Sequence, residues 1–415
     1  MPISATSARP AQKLMSADDA LARILAGVPA LPEVEVPLLD ALGLVLAEDV
    51  AADRDVPPFR NSAMDGYAVR GDDVASAPVE LRVVGEVAAG GFPDRAVGSG
   101  EAMRIMTGAP MPEGADTVVR VEDTDNASDV VTIAAATPKG TSIRQAGEDL
   151  KAGEVILAKG TVLRAAEIGL LASDGRARIR VRKRPRVAVF STGDEIVDLD
   201  APLGRGQIRD SNRYTLASAI RAAGAEPWVR GIVRDSPDAL RAAFREVVAA
   251  DAIVTSGGVS VGDHDFMKPV LSELGTIDFW AIAIRPGRPL AFGELNDGDR
   301  RVPIFGLPGN TVSALVTFEI FVRPALLRMQ GRANVSRPRA KARLAEPVDK
   351  IGTLRFFARG IHDPDAGTVR LTGPQGSGIL RSMSLANCLI DLPVGPSRIE
   401  KGELVDVILT EQPPA

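Results

Sequence analysis

Residues 251–268, DAIVTSGGVSVGDHDFMK, constrain the fold of this chain more than any other stretch. A short apolar strand at 252–254 runs into a loop of Thr255, Ser256, Gly257, Gly258, Val259, Ser260, Val261 and Gly262, and a helical pattern follows. A strand entering a glycine loop and then a helix is the repeating unit of an α/β domain. Glycine lets the backbone approach an anion closely, and successive N–H groups can line the concavity. Asp263 and Asp265 close the loop. Carboxylates beside an anion cradle make sense if a divalent cation sits between them and a phosphate. The loop therefore points to phosphoryl or nucleotidyl chemistry.

The same alternation recurs from Arg186 onward. Strands are expected at 187–190, 228–233 and 302–305. Helices are expected from Asn212 to about Ala223, from Ser236-Pro237 to Ala250 and from about Thr311 to Met329. Strands alternating with helices mean a parallel sheet covered on both faces. Elsewhere the pattern differs. Ser16 can cap a helix running to about Ala26, with Asp18 and Asp19 in its first turn. Residues 79–137 give short strands and turns with no long helical period, which reads as a small β domain. A short helix starts at Ala165 and stops at Gly175. After a linker at 331–338, short strands and turns return, so an all-β module closes the chain. At 415 residues the chain exceeds one ordinary core, and several domains are expected.

Composition excludes some classes. A net charge of −5 and a pI near 5.4 argue against a nucleic-acid surface. The single cysteine, Cys388, rules out an internal disulfide and any multi-cysteine metal site. It lies in an apolar run, CLIDL, and reads as core rather than nucleophile. His264 and His362 show no metal or triad spacing. No basic segment followed by an apolar run opens the chain, and the apolar stretch at 312–322 is too short to span a bilayer. A soluble cytoplasmic protein is expected, with no membrane and no nucleic-acid partner.

In an open parallel sheet, ligands bind at the carboxyl ends of the strands. Those ends are unusual here. Strand 187–190 runs into Ser191, Thr192, Gly193, Asp194 and Glu195, and strand 228–233 into Arg234 and Asp235. Strand 302–305 runs into Gly306-Leu307-Pro308-Gly309-Asn310, ahead of a helix whose free N–H groups attract anions. Any one such loop is equally a turn that needs glycine, and Ser211 and Ser236 read as helix caps. Several such loops at one end of one sheet are what suggest a site. Arg285 and Arg288 flank Pro286-Gly287, where a rigid turn would hold two guanidiniums close together for a dianion.

Six motifs together resemble one family. They are SAMDGYA (62–68), IMTGAPMPEGAD (105–116), GED (147–149), STGDE (191–195), TSGGVSVGDHD (255–265) and GLPGN (306–310). QGSGILRSMSLAN (375–387) adds to them. The chain resembles, nearly end to end, the molybdopterin molybdenumtransferase family: the bacterial MoeA proteins and the E domain of gephyrin. The resemblance implies an α/β plus β multidomain fold, with a central three-layer α/β molybdopterin-binding domain, a β-rich lobe and a C-terminal barrel-like β domain. The implied partition is 13–54 with 142–184 as a discontinuous linking domain, 55–141 as the lobe, 185–331 as the α/β domain and 336–415 as the C-terminal domain. The implied reaction inserts molybdate into adenylated molybdopterin and releases AMP, with Mg²⁺ or a similar divalent ion. A molybdopterin adenylyltransferase and a non-catalytic molybdopterin-binding scaffold are the alternatives.

By position, the resemblance assigns catalysis to Asp65, Thr107, Asp149, Glu195, Asp235 and Asp265, with Asp235 and Asp265 as metal ligands. It assigns pterin and phosphate binding to Ser191, Thr192, Gly193, Ser256, Gly257, Gly258, Ser260, Gly262, Pro308, Gly309 and Asn310. Molybdate falls to Arg285, Arg288, Arg359 and Ser377, with Ser260 adding a hydrogen bond. Arg285 and Arg288 stand where the family commonly has lysines, so a planar fork replaces a compact ammonium. Thr311 follows GLPGN where the family commonly has proline. A homodimer is implied, in which the loops at 62–68 and 106–110 reach the partner's active site, with a molybdopterin adenylyltransferase as a further candidate partner.

Overall fold

In a computed structural model of the chain, residues 14–258 and 266–410 are described. Ser260, Gly262, Asp263, His264 and Asp265 lie outside the described residues. Two compact units are present: Glu35–Leu42 with Leu46–Val181, and the described residues of Met1–Val34, Gly43–Val45 and Arg182–Ala415.

The unit that contains Leu46–Val181 is built on a five-stranded sheet. Its strands are β1 (Gly66–Val69), β2 (Val79–Val87), β3 (Glu101–Ile105), β4 (Thr117–Arg120) and β5 (Val130–Ile133), in the order β4-β1-β3-β2-β5. Side chains alternate across a strand, so both faces are read directly from the sequence. Tyr67 and Val69 enter one apolar cluster with Leu81, Val119 and Val131. Ala68 enters the other with Val87, Met103, Ile105 and Val118. The register pairs Gly66 with Ile105. It thereby brings the loop that precedes β1 beside the loop that follows β3. Helix α2 (Ala165–Ser173) belongs to the same unit.

The larger unit holds a six-stranded sheet. Its strands are β6 (Arg186–Thr192), β7 (Glu226–Val233), β8 (Ala252–Ser256), β9 (Gly275–Ala281), β10 (Pro289–Asp297) and β11 (Arg300–Leu307), in the order β7-β6-β8-β11-β10-β9. The first four are parallel. The last two are antiparallel, which departs from the all-parallel expectation. The alternating pattern gives no strand between 254 and 302, and only the Pro286-Gly287 turn is expected there. The turn is there, but it links β9 to β10, and both add to the sheet edge.

Helices cover both faces of this sheet. On one side α1 (Ala17–Gly27), α3 (Asn212–Ala222) and α6 (Thr311–Thr317) bury Ile24, Leu216, Ile220, Val312 and Val316 against Val187, Val189 and Val254. Ser16 caps α1 by accepting from the Asp19 N–H at 3.0 Å. On the other side α4 (Pro237–Val247) and α5 (Met267–Leu274) bury Leu240, Phe244, Val247, Val270 and Leu271 against Ala188, Phe190 and Ile253. Each such side chain contributes about 1.5–3 kcal/mol on burial. The expected helix at 311–329 is one rod with a π turn, Phe318–Val322, between α6 and α7 (Arg323–Met329).

The C-terminal strands are β12 (Arg339–Leu344), β13 (Arg355–Asp363), β14 (Thr368–Leu371), β15 (Cys388–Leu392) and β16 (Leu404–Leu409). Their order β13-β14-β12-β16-β15, with β15 pairing back to β13, closes a five-stranded barrel. Ile284–Arg285 pairs in parallel with the start of β13, so the Pro-Gly turn lies against the barrel.

Candidate functional site

The ends of β6, β7, β8 and β11 open into one pocket of about 390 Å³. It is lined by Ser191, Thr192, Gly193, Glu195, Asp235, Ser256, Gly257, Gly258, Gly309 and Asn310, all of them expected site residues. Parallel pairing sets this up, because it brings all four carboxyl ends to one edge.

The loops approach closely. Gly257 has φ +95°, and a Cβ there would meet the Thr192 carbonyl at 2.6 Å and the Thr192 Oγ1 at 2.8 Å. Only glycine fits without a shift. The Gly257 N–H donates to the Leu307 carbonyl at 3.1 Å. The Ser256 hydroxyl donates to the Pro308 carbonyl at 3.3 Å. Thr192 and Thr255 carry buried hydroxyl oxygens without a partner among the described residues.

Further contacts come from residues 210–212, at the approach to α3. Asp210, 1% exposed, accepts from the Ser191 hydroxyl at 2.8 Å and from the Arg213 N–H at 3.0 Å. Its carboxylate also pairs with the Arg213 guanidinium at 3.1 Å. Ser211 makes no capping bond, contrary to expectation; its Oγ lies 3.2 Å from Thr311 Oγ1. Asn212 Nδ2 donates to Ser256 Oγ and to the Gly309 carbonyl, both at 2.6 Å. The sequence signal was present as RDSN before a helix, but acids, hydroxyls and amides there are ordinarily caps. Ser236 is such a cap, accepting from the Ala239 N–H at 3.4 Å.

Acidic residues gather at one side. Asp235 is pushed above the usual carboxylate range by burial, with the Asp194 and Glu195 charges adding to it. Like charges held together favour a bound cation or a proton. Among the described residues, no group of three or more His, Cys, Asp or Glu side chains is placed to hold a metal ion by itself. Asp265, the other expected ligand, lies outside the described residues.

A second cluster lies where the barrel meets the α/β sheet. Arg359 is 0% exposed on β13. Its Nε donates to Ser382 Oγ and its Nη2 to the Gly376 carbonyl, both at 3.0 Å. Its Nη1 is buried with no partner among the described residues. Burial, with the Arg285 charge adding to it, pulls Arg359 down to about 10. Arg285 lies over the Phe356 ring, 5.3 Å from its centroid, and Arg288 is exposed. Gly287 has φ +98°, and a Cβ there would fall 2.5 Å from Thr317 Cγ2, so the turn is fixed by close packing on α6. The Ser377 carbonyl accepts from the Val312 N–H at 3.1 Å, which ties this segment to the start of α6. Two cationic groups and an unsatisfied buried N–H form an arrangement suited to an oxyanion.

The remaining expected residues belong to the other unit. Asp65 Oδ1 accepts from both the N–H and the hydroxyl of Thr107 at 2.7 Å. Asp149 lines a separate hollow of about 440 Å³ with Val56, Pro57, Asn61, Arg144 and Glu148.

Comparison with known proteins covers the whole of this architecture. The profile described as the MoeA N-terminal region (domain I and II) matches residues 15–175. A probable molybdopterin binding domain matches 188–328, and the MoeA C-terminal region (domain IV) matches 341–410. The chain is 36% identical over 426 residues to molybdopterin molybdenumtransferase 1 of Mycobacterium tuberculosis, covering 96% of this chain and 100% of that one. It is 40% identical over 389 residues to the molybdopterin molybdenumtransferase of a Nostoc species, covering 91% and 88%. A crystal structure of a molybdopterin biosynthesis MoeA protein from Pyrococcus horikosii superposes with a TM-score of 0.80 at 34% identity, covering 96% of this chain and 99% of that one.

Proposed function

The chain belongs to the MoeA family, and we propose that it is a molybdopterin molybdenumtransferase that inserts molybdate into adenylated molybdopterin and releases AMP in molybdenum cofactor biosynthesis. The observation that carries this reading is the single pocket at the ends of four parallel strands, lined by the glycine and hydroxyl loops of β6, β8 and β11. The substrate joins two phosphates, and such a linkage needs backbone donors at close approach. Gly257, Gly258 and Gly309 supply that approach, with the Thr192 hydroxyl, unpartnered among the described residues, as a donor; Ser191 and Ser256 line the pocket with their hydroxyl protons held by Asp210 and the Pro308 carbonyl.

Molybdate is a tetrahedral dianion and needs fixed positive charge. Arg359 and Arg285 would hold it, with Ser377 and Arg288 contributing. An anion there would satisfy Arg359 Nη1 and relieve the repulsion between the two guanidiniums. A divalent cation fits the acidic side of the pocket, where Asp235 is crowded by Asp194 and Glu195. Oxygen donors of this kind suit Mg²⁺, which keeps several waters and binds through one or two carboxylates plus phosphate. Such an ion would supply charge neutralisation at the phosphates. Asp235 would help to hold it, together with Asp265.

The same reading carries a homodimer in a cytoplasmic setting, with Asp65 and Thr107 serving the partner copy's pocket. It also carries the four-domain partition stated above. No described helix is long and apolar enough to cross a membrane. The test is to supply adenylated molybdopterin with and without molybdate and to follow AMP by chromatography. A scaffold would release none.

A further inference from the structure

Glycine loops cradle an anion well only if something fixes their separation, because glycine has the most backbone freedom to lose. Between the β8 and β11 loops one backbone bond does this, from the Gly257 N–H to the Leu307 carbonyl, and one hydroxyl bond, from Ser256 to the Pro308 carbonyl at 3.3 Å. The Asn212 amide adds a further brace. Its nitrogen reaches Ser256 Oγ on one loop and the Gly309 carbonyl on the other, each at 2.6 Å. An amide NH₂ is planar and presents two donors in a fixed fork. The amide therefore ties both loops through one rigid group, reinforcing the Gly257 and Ser256 bonds. The orientation of the amide follows from the Gly309 carbonyl, which can only accept.

The brace is anchored from behind. Asn212 opens α3, two residues after the buried Asp210, which is bonded to Ser191 on the β6 loop and to Arg213. Ser211 meets Thr311 at the start of α6. Three consecutive side chains thus touch the β6, β8 and β11 loops. Among the described residues Asn212 Oδ1 is buried without a donor.

We infer that Asn212 is a positioning residue for the phosphate cradle: it sets the spacing of the β8 and β11 loops so that they take the phosphate-bearing end of the substrate. It acts through Ser256 and Gly309 rather than on the reacting atoms. Because this role presupposes the phosphate-bearing substrate proposed above, the test uses probes that do not require turnover.

The probes are AMP and inorganic diphosphate, with binding measured by calorimetry on the full chain. Asn212→Asp is the first variant, since it keeps size and removes both donors; Asn212→Ala is the second. Each should bind AMP roughly tenfold or more weakly, the scale of one or two lost hydrogen bonds. The KM for adenylated molybdopterin should rise with it, while the molybdate requirement stays within about twofold, because the arginine cluster is untouched. Adding Ser256→Ala to Asn212→Ala should cost less than Ser256→Ala alone, since the two share one contact. AMP binding equal to wild type in both variants would overturn the positioning role alone, as would equal losses for both substrates. Wild-type protein that binds neither probe would overturn the functional reading and this role with it.

Discussion

Asp65 and Thr107 stand 42 residues apart in sequence, yet one carboxylate oxygen of Asp65 takes both the N–H and the hydroxyl of Thr107 at 2.7 Å. The pairing of Gly66 with Ile105 places them together. The two bonds hold Asp65 below the usual carboxylate range, so it is charged at neutral pH. Its folded pKa is depressed, so its contribution to stability is present above the unfolded value of 3.8 and is lost as pH falls through the folded one. Thr107→Val should raise the Asp65 pKa, measured by carboxyl NMR. The stability difference from wild type should be present near neutral pH and should shrink in acid. Asp65→Asn should keep the fold and lower turnover by on the order of a hundredfold.

Asp235 behaves in the opposite sense. Its folded pKa is raised, so its ionisation opposes folding, and the stability it contributes is fully present below 3.8 and lost as pH rises through the folded pKa. Asp235→Asn should therefore be no less stable than wild type at pH 7 without divalent cation. Added Mg²⁺ should raise the melting temperature of the wild type and not of the variant. A variant that keeps the full Mg²⁺-dependent shift would remove Asp235 from the metal site.

The oxyanion cluster predicts a ranking. Arg285→Ala should raise the molybdate concentration for half-maximal turnover by roughly ten- to a hundredfold, the scale of a charged hydrogen bond. Arg288→Ala should have the smaller effect, because Arg288 is exposed and water screens it. The check is a molybdate titration at saturating adenylated molybdopterin; a larger shift in Arg288→Ala reverses the assignment.

Gly287→Ala should destabilise the protein by about 1–3 kcal/mol, through a positive φ and the Cβ contact with Thr317. Denaturant unfolding measures the loss. Thr317→Ser, which removes the clashing methyl, should restore part of it.

Cys388 is buried on β15, and burial pushes its thiol up to about 12. A thiolate reagent at pH 8 should leave the native protein unmodified and label it once unfolded. Rapid labelling without unfolding would contradict its place in the barrel core.

Much of this site was legible in the sequence, for a physical reason. One glycine and hydroxyl loop after a strand is equally a turn, but several at the same end of one parallel sheet converge, and Ser191, Ser256 and Gly309 do line one pocket. Ser16 and Ser236 were found because capping is a local effect. What stayed hidden depends on long-range packing. The strands β9 and β10 went unread because antiparallel pairing at a sheet edge breaks the strand–helix alternation that marks the other four. Ser211 and Asn212 sit where caps are expected, and only the folded loops reveal their other partners. Arg285 was expected beside Arg288, its neighbour in sequence. The charge that bears on it in the fold is Arg359, brought there by the pairing of Ile284–Arg285 with the start of β13.

The most direct measurement is the stoichiometry of the reaction. Purified protein is given adenylated molybdopterin, Mg²⁺ and molybdate, and AMP released is compared with molybdenum bound to the pterin product. AMP and molybdenum should appear one for one, and AMP release should fall to background when molybdate is withheld. AMP released at the same rate without molybdate, or no AMP released at all, would contradict a molybdenumtransferase.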